Sequence, residues 1–126
     1  MPTFGVARHV PSFIDVDVCL PLASEWLKNC EENHSLCKPA KSFTKPARLL
    51  DLGTENDKQI FLRETRYLDM ESVQYMTLSH CWGIFKFITT MTGTLSERKA
   101  GIPITQLAKT FREAVAMTRG LGFQYI

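Results

Sequence analysis

Residues Tyr75–Gly83 read YMTLSHCWG, and the fold turns on that string. Tyr75, Met76, Thr77 and Leu78 are aromatic, apolar or β-branched, with no breaker among them, which predicts a strand. Ser79, His80, Cys81 and Trp82 then set a hydroxyl, an imidazole, a thiol and an indole in four consecutive positions. Gly83 permits a sharp turn with positive φ just past the strand. Open α/β sheets usually build their sites at strand tips. Tyr75–His80 is therefore expected to be a buried inner strand. Met76 and Leu78 would lie on one face, Tyr75 and Thr77 on the other.

Downstream, Thr105–Gly120 carries the best helical pattern. Leu107, Phe111, Ala114, Val115, Thr118 and Leu121 form one stripe, with Lys109, Arg112 and Arg119 expected to face water. Thr105 would cap an early start, and Thr110 with Glu113 would box a later one. Gly120 or Gly122 would end the helix. Phe123–Ile126 reads as a strand onset. Strand, helix and strand in that order predict a right-handed βαβ crossover with a parallel pair. Residues 84–101, rich in Thr and Gly, read as extended or irregular.

Upstream, Ala47–Leu52 and Gln59–Thr65 flank Gly53–Lys58 and predict an antiparallel hairpin. Arg66–Gln74 is a polar connector. Residues 31–47 read as a polar and basic loop containing Pro39 and Pro46. Pro21–Asn29 reads as a short helix, with Leu22, Ala23, Trp26 and Leu27 on one face. Residues 1–17 read as an irregular leader. No internal repeat or low-complexity segment interrupts the chain.

The 126 residues allow at most one small domain, and 44% hydrophobic with 22% charged residues is ordinary globular composition. A net charge of +2 argues neither for nucleic acid nor for an anionic membrane. The acid-free stretch Lys38, Lys41, Lys45, Arg48 reads as a solvated loop. No apolar run approaches the roughly 18 residues of a membrane helix. The N-terminal MPTFGVARHVPSF has no secretory h-region. The four cysteines are therefore expected as reduced thiols in a cytoplasmic protein.

The chemistry-bearing residues fall into two groups. Ser79, His80 and Cys81 invite a nucleophile reading, because a thiolate needs a neighbouring base. On a strand, however, His80 and Cys81 point to opposite faces, and no acid can be named to orient His80. Cys81 therefore reads as a packed thiol, and Trp82 as a packing residue with its N–H bonded. Cys30, His34 and Cys37 supply three soft ligands in eight residues, where structural zinc takes four. Two packed thiols and a surface histidine at a helix end is the plainer alternative, so no metal is expected. No dinucleotide, P-loop, HExxH or EF-hand pattern occurs. No cofactor is expected. Glu64, Asp69, Glu71 and Glu113 are scattered and form no carboxylate pair.

Leu78-Ser79-His80-Cys81-Trp82-Gly83 resembles the signature of the fungal heterokaryon-incompatibility (HET) domain. That hallmark is an apolar strand ending in Leu-Ser-(Tyr or His)-Cys-Trp-Gly. The resemblance keeps its order over roughly residues 22–126. Trp26-Leu27 with Cys30, His34 and Cys37 looks like the family's opening helix and Cys…His…Cys loop. Pro46–Leu52 and Ile60–Glu64 look like its first two strands, Ile102–Ala114 its main helix, and Leu121–Ile126 the strand that follows. In the family that strand continues into a Trp-Ile-Asp…Leu-Cys-Ile segment and further elements. Residues 18–126 are accordingly expected to be the N-terminal part of a single HET domain, a fragment.

The resemblance implies an α/β chain, a partial HET/TIR-like three-layer fold with an N-terminal helix, a β-hairpin and a βαβ unit. It implies a role in fungal non-self recognition, innate immunity and programmed cell death. Protein partners are implied, including self-association through the HET domain, with no nucleic acid and no membrane span. The family is distantly similar to TIR domains, some of which cleave NAD. That similarity alone admits an NAD-directed activity, with Glu113 the only candidate for the helical glutamate such enzymes use. The rival readings are a small Cys/His-dependent hydrolase or zinc-binding module, and an inactive remnant.

Overall fold

A computed structural model describes residues 9, 12, 15–37, 44–84 and 86–126. Most of the expected leader, Lys38 and Lys41 of the basic stretch, and Phe85 lie outside the described residues.

The first helix, α1, spans Val16–Asn33. It is longer than the Pro21–Asn29 expected from the apolar spacing. Asp15 supplies the reason: its carboxylate accepts from the Asp17 N–H at 3.1 Å and caps the helix upstream. Pro21 is carried inside the helix. The expected apolar face is only partly covered, since Trp26 is 65% exposed. The helix packs on the later helix α3 where Gly120 meets Leu20; a Cβ on Gly120 would fall 2.6 Å from a Leu20 methyl. A side chain at that position would push the Leu20 methyls aside.

The hairpin forms as expected. Strands β1 (Arg48–Asp51) and β2 (Gln59–Glu64) pair antiparallel, with Arg48 opposite Glu64, Leu50 opposite Leu62 and Asp51 opposite Phe61. Their β-branched and apolar residues suit a half-buried pleat. The loop between them is stitched by Asp57, which accepts from the Thr54 N–H at 2.6 Å and the Thr54 hydroxyl at 2.8 Å. Those bonds hold the Asp57 carboxyl below its ordinary value.

Residues 86–90 are irregular, as expected, but the next stretch is not. A 3₁₀ turn at Thr92–Thr94 leads into a short helix, α2 (Leu95–Ala100). The threonines that suggested a loop act as its entry: the Met91 N–H donates to Thr94 Oγ1 at 2.9 Å. Helix α2 docks through Lys99, which is ion-paired with Glu64 of β2. A two-residue strand, β3 (Ile102–Pro103), then adds antiparallel to β2, giving the order β1-β2-β3.

The last helix, α3, spans Lys109–Gly120 and starts later than the expected Thr105. Thr105 lies instead in a 3₁₀ turn over Ile104–Gln106. Ala108 occupies the N-cap without a side-chain bond, so neither expected cap forms. The apolar stripe behaves as the spacing requires. Leu107, Val115 and Thr118 are buried and Phe111 is half-buried, while Lys109 and Arg112 are exposed. Arg119 departs from expectation. Its guanidinium turns back onto the hairpin loop, donating to the Leu52, Asp57 and Glu55 carbonyls, the last two at 3.1 and 3.5 Å. A five-donor fork can serve all three carbonyls at once.

The expected inner strand Tyr75–His80 is the main correction. The free edge of β1 is taken by residues 124–126: Leu52 N–H donates to Gln124 O at 2.8 Å, and Leu50 and Ile126 exchange bonds at 2.8 and 3.1 Å. Tyr75 lies outside that segment, in a single parallel bridge to Tyr125, and Met76 N–H donates to Tyr125 O at 3.0 Å. Beyond Met76 the backbone has no ladder among the described residues. Thr77 is exposed and Leu78 is 41% exposed. The βαβ relation therefore survives as one parallel bridge. The described residues form a mixed structure of helices and a small antiparallel sheet. The core joins Leu52, Ile60, Ile102, Leu107 and Val115, with Leu50, Ile88, Ile104, Phe111 and Ile126 packed against it. Each fully buried side chain of this kind contributes roughly 1.5–3 kcal/mol.

Candidate functional site: the Ser79–Gly83 corner

The corner sits where the Tyr75 edge leaves the sheet and crosses in front of α3. Gly83 has φ +64°, as the sharp turn requires. His80 is the residue that turns inward. Its ring meets Phe111 edge-on at 4.9 Å and Phe87 at 6.0 Å, and stacks along Trp82 at 6.2 Å. Phe87 and Phe111 close the group at 5.3 Å. Edge-to-face pairs of this kind add about 0.5–1.5 kcal/mol each. Leu78 and His80 line the same cavity. Phe111 leans into the same space from the first turn of α3. That geometry gathers the aromatic group.

Behind His80 lies a cavity of about 330 Å³. Its walls include Leu78, Ile88, Ile102, Leu107, Phe111 and Val115. The polar groups on it are His80, Arg98, Thr89 and Thr90. Arg98 donates to the Thr89 carbonyl at 3.4 Å and pairs with Glu97 at 3.1 Å. His80 Nε2 is buried without a hydrogen-bond partner among the described residues. A buried unpaired polar atom costs about 1–3 kcal/mol, so such atoms usually sit where something else can bond them.

Ser79 and Cys81 face the other way, while Trp82 covers the outer side of the aromatic group, its indole against His80 and Phe87. All three are exposed, Trp82 by 66%. The expected packed thiol at Cys81 is therefore corrected, whereas Trp82 is exposed yet packs one side of its ring against His80 and Phe87; among the described residues no neighbouring strand covers the turn. His80 and Cys81 diverge, His80 inward and Cys81 outward. Glu113 lies on α3 beside Lys109, at 3.6 Å in an i,i+4 pair, and is not part of the cavity wall. Arg98 and Phe87 are cavity and corner residues that were not legible as such, because residues 84–101 carry no periodic pattern.

A second cluster lies at the other end of the chain. Cys30, His34 and Cys37 place their donor atoms within 4.8 Å of one another. All four cysteines, Cys19, Cys30, Cys37 and Cys81, are free thiols. The Cys30 thiol is pushed above its ordinary value, chiefly by its hydrogen bond with Cys37, with desolvation and the Cys37 and Glu31 charges adding to it.

A small α/β-type unit with an inward histidine, an indole stacked along it and an outward thiol at a glycine turn is what the signature string builds. The family model "Heterokaryon incompatibility protein (HET)" matches residues 75–126, from the Tyr75 edge through α3 to the last residue of the sheet. Over these residues the chain is similar to the HET family. No curated protein and no solved structure matches the chain.

Proposed function

We propose that the chain is a HET-domain protein acting in fungal non-self recognition and regulated cell death. The observation that carries this is the family match over residues 75–126, which includes the complete Leu78–Gly83 signature. On this reading residues 18–126 belong to one HET domain in the cytoplasm, and its complete form is a three-layer TIR-like fold. The domain acts when a partner or a second copy brings it together with others. The Ser79–Gly83 corner is its contact surface. Exposed Trp82, with Leu78 and the 93% exposed Ile84 beside it, supports that assignment, because aromatic anchors dominate protein contacts. Cys81 contributes surface rather than chemistry. It faces away from His80, and a nucleophile needs its base within hydrogen-bond reach.

Induced expression in a filamentous fungus, scored by cell viability, tests this reading in the full-length context. Wild type is expected to reduce viability. Trp82→Ala should abolish the effect while melting at the wild-type temperature. Cys81→Ala and Cys81→Ser should keep both stability and toxicity. A stable but inactive Cys81→Ala would restore the nucleophile reading. No effect of wild type on viability would sink the death role.

A further inference from the structure

Helix α1 ends in a way that builds a ligand set. Cys30 and His34 are four residues apart, so they stand on the same face of the helix end. The His34 N–H bonds the Cys30 carbonyl at 3.1 Å and closes the final turn. A 3₁₀ turn, Ser35–Cys37, then folds the chain back, with the Cys37 N–H on the His34 carbonyl at 3.1 Å. Leu36, 97% exposed, is left pointing to solvent by that turn. The turn gives up an apolar contact and brings Cys37 beside Cys30 and His34. No acid or amide completes a competing hydrogen-bond network on these three side chains among the described residues.

We propose that Cys30, His34 and Cys37 bind one zinc ion per chain, with water in the fourth position. Two thiolates and an imidazole are the donors that a borderline-soft divalent ion prefers. Tetrahedral zinc with Zn–S bonds near 2.3 Å holds its sulfurs about 3.8 Å apart. The donor atoms already lie within 4.8 Å, so closure asks for at most about 1 Å of side-chain rotation. On binding, the Cys30 and Cys37 sulfurs each form a bond to the ion and each thiol proton passes to the buffer. The neighbouring Glu31 adds negative charge beside the site, which favours a cation. The His34 and Cys37 side chains are exposed, so the ion has an open path of entry and the fourth position is reachable by water. The ion would tie the end of α1 to the turn that follows it. This inference is independent of the Ser79–Gly83 corner and of the death role.

The full chain, purified with its thiols reduced, should be titrated with Co²⁺ and then Zn²⁺. The expected result is one equivalent of cobalt, a thiolate-to-cobalt charge-transfer band and a tetrahedral visible spectrum, both erased by zinc. Cys37→Ser and His34→Gln should weaken binding at least a hundredfold, since even supporting residues cost about 10–100-fold at metal sites. His34→Cys should keep binding, and so should Cys19→Ser and Cys81→Ser. Circular dichroism of each variant confirms that α1 remains helical. Wild type with no stoichiometric metal overturns the proposal. So does binding that survives in both Cys37→Ser and His34→Gln. A Cys30–Cys37 disulfide with no metal uptake after reduction overturns it as well.

Discussion

Glu64 shows how one side chain can join three elements. It ends β2, pairs with Lys99 of α2, and meets Arg66 at 2.9 Å in the turn that follows. The Lys99 hydrogen bond, followed by the charges of Arg66 and Lys99, holds the Glu64 carboxyl below its ordinary 4.5 against the opposing effect of desolvation. The sign follows directly. A carboxyl with a depressed folded-state value stabilises the fold above 4.5, and that contribution fades as pH falls through the lower folded value. Denaturant melts from neutral pH down to about pH 3 should therefore show wild type losing more stability than Glu64→Gln below 4.5. Parallel curves for the two proteins would remove Glu64 from the acid response. Nothing in the sequence announced this pair, because Lys99 lies 35 residues away in a segment that reads as loop. The corner residues were more legible. The positive φ of Gly83 follows from residue type alone. The exposure of Cys81 and Trp82 does not, because it depends on where the neighbouring strand stops.

Helix α3 is the element whose sequence pattern and structure agree most closely, and it carries the core. Val115 is 4% exposed against the sheet, whereas Phe111 is half-buried at the cavity mouth. Val115→Ala should cost about 2 kcal/mol, from lost transfer energy plus an unfilled cavity. Phe111→Ala should cost about 2 kcal/mol as well, below the 3–5 of a fully buried phenylalanine, because one side of its ring already faces open space. Denaturant melts decide it. A loss under about 0.5 kcal/mol for Val115→Ala would contradict its burial. The spacing of Leu107, Phe111, Val115 and Thr118 exposed the inner face because a 3.6-residue period is a local property. The end of the helix was less legible. Arg119 reads as one more solvent-facing cation in the sequence, yet it satisfies carbonyls of a loop more than 60 residues away. Likewise α1 extended beyond its apolar stripe because its start is set by the Asp15 cap.

At the scale of the whole molecule, the hairpin and the last helix were readable because their contacts are close in sequence, while the place of Tyr75–Leu78 was not. Its apolar, breaker-free composition fits an inner strand and an edge equally well; which one it becomes depends on what claims the edge of β1. Residues 124–126 claim it, and Tyr75–Leu78 is left outermost with one bridge on its inner side. Among the described residues nothing pairs with its outer side. That outer side carries the Thr77 backbone, flanked by exposed Leu78, Trp82 and Ile84. An uncharged edge next to an apolar patch is a template for pairing with another chain. Sedimentation velocity across a concentration series should show reversible self-association of the chain. Thr77→Lys should push it toward monomer by placing a charge on the edge, without changing the melting temperature, since Thr77 is exposed. Trp82→Ala should weaken association as well, because it removes the aromatic anchor of the patch beside that edge. A wild-type chain that stays monomeric throughout the series would contradict an available edge. Association that Thr77→Lys leaves unchanged would place the contact elsewhere, with the exposed Val18 and Trp26 of α1 as the next surface to substitute.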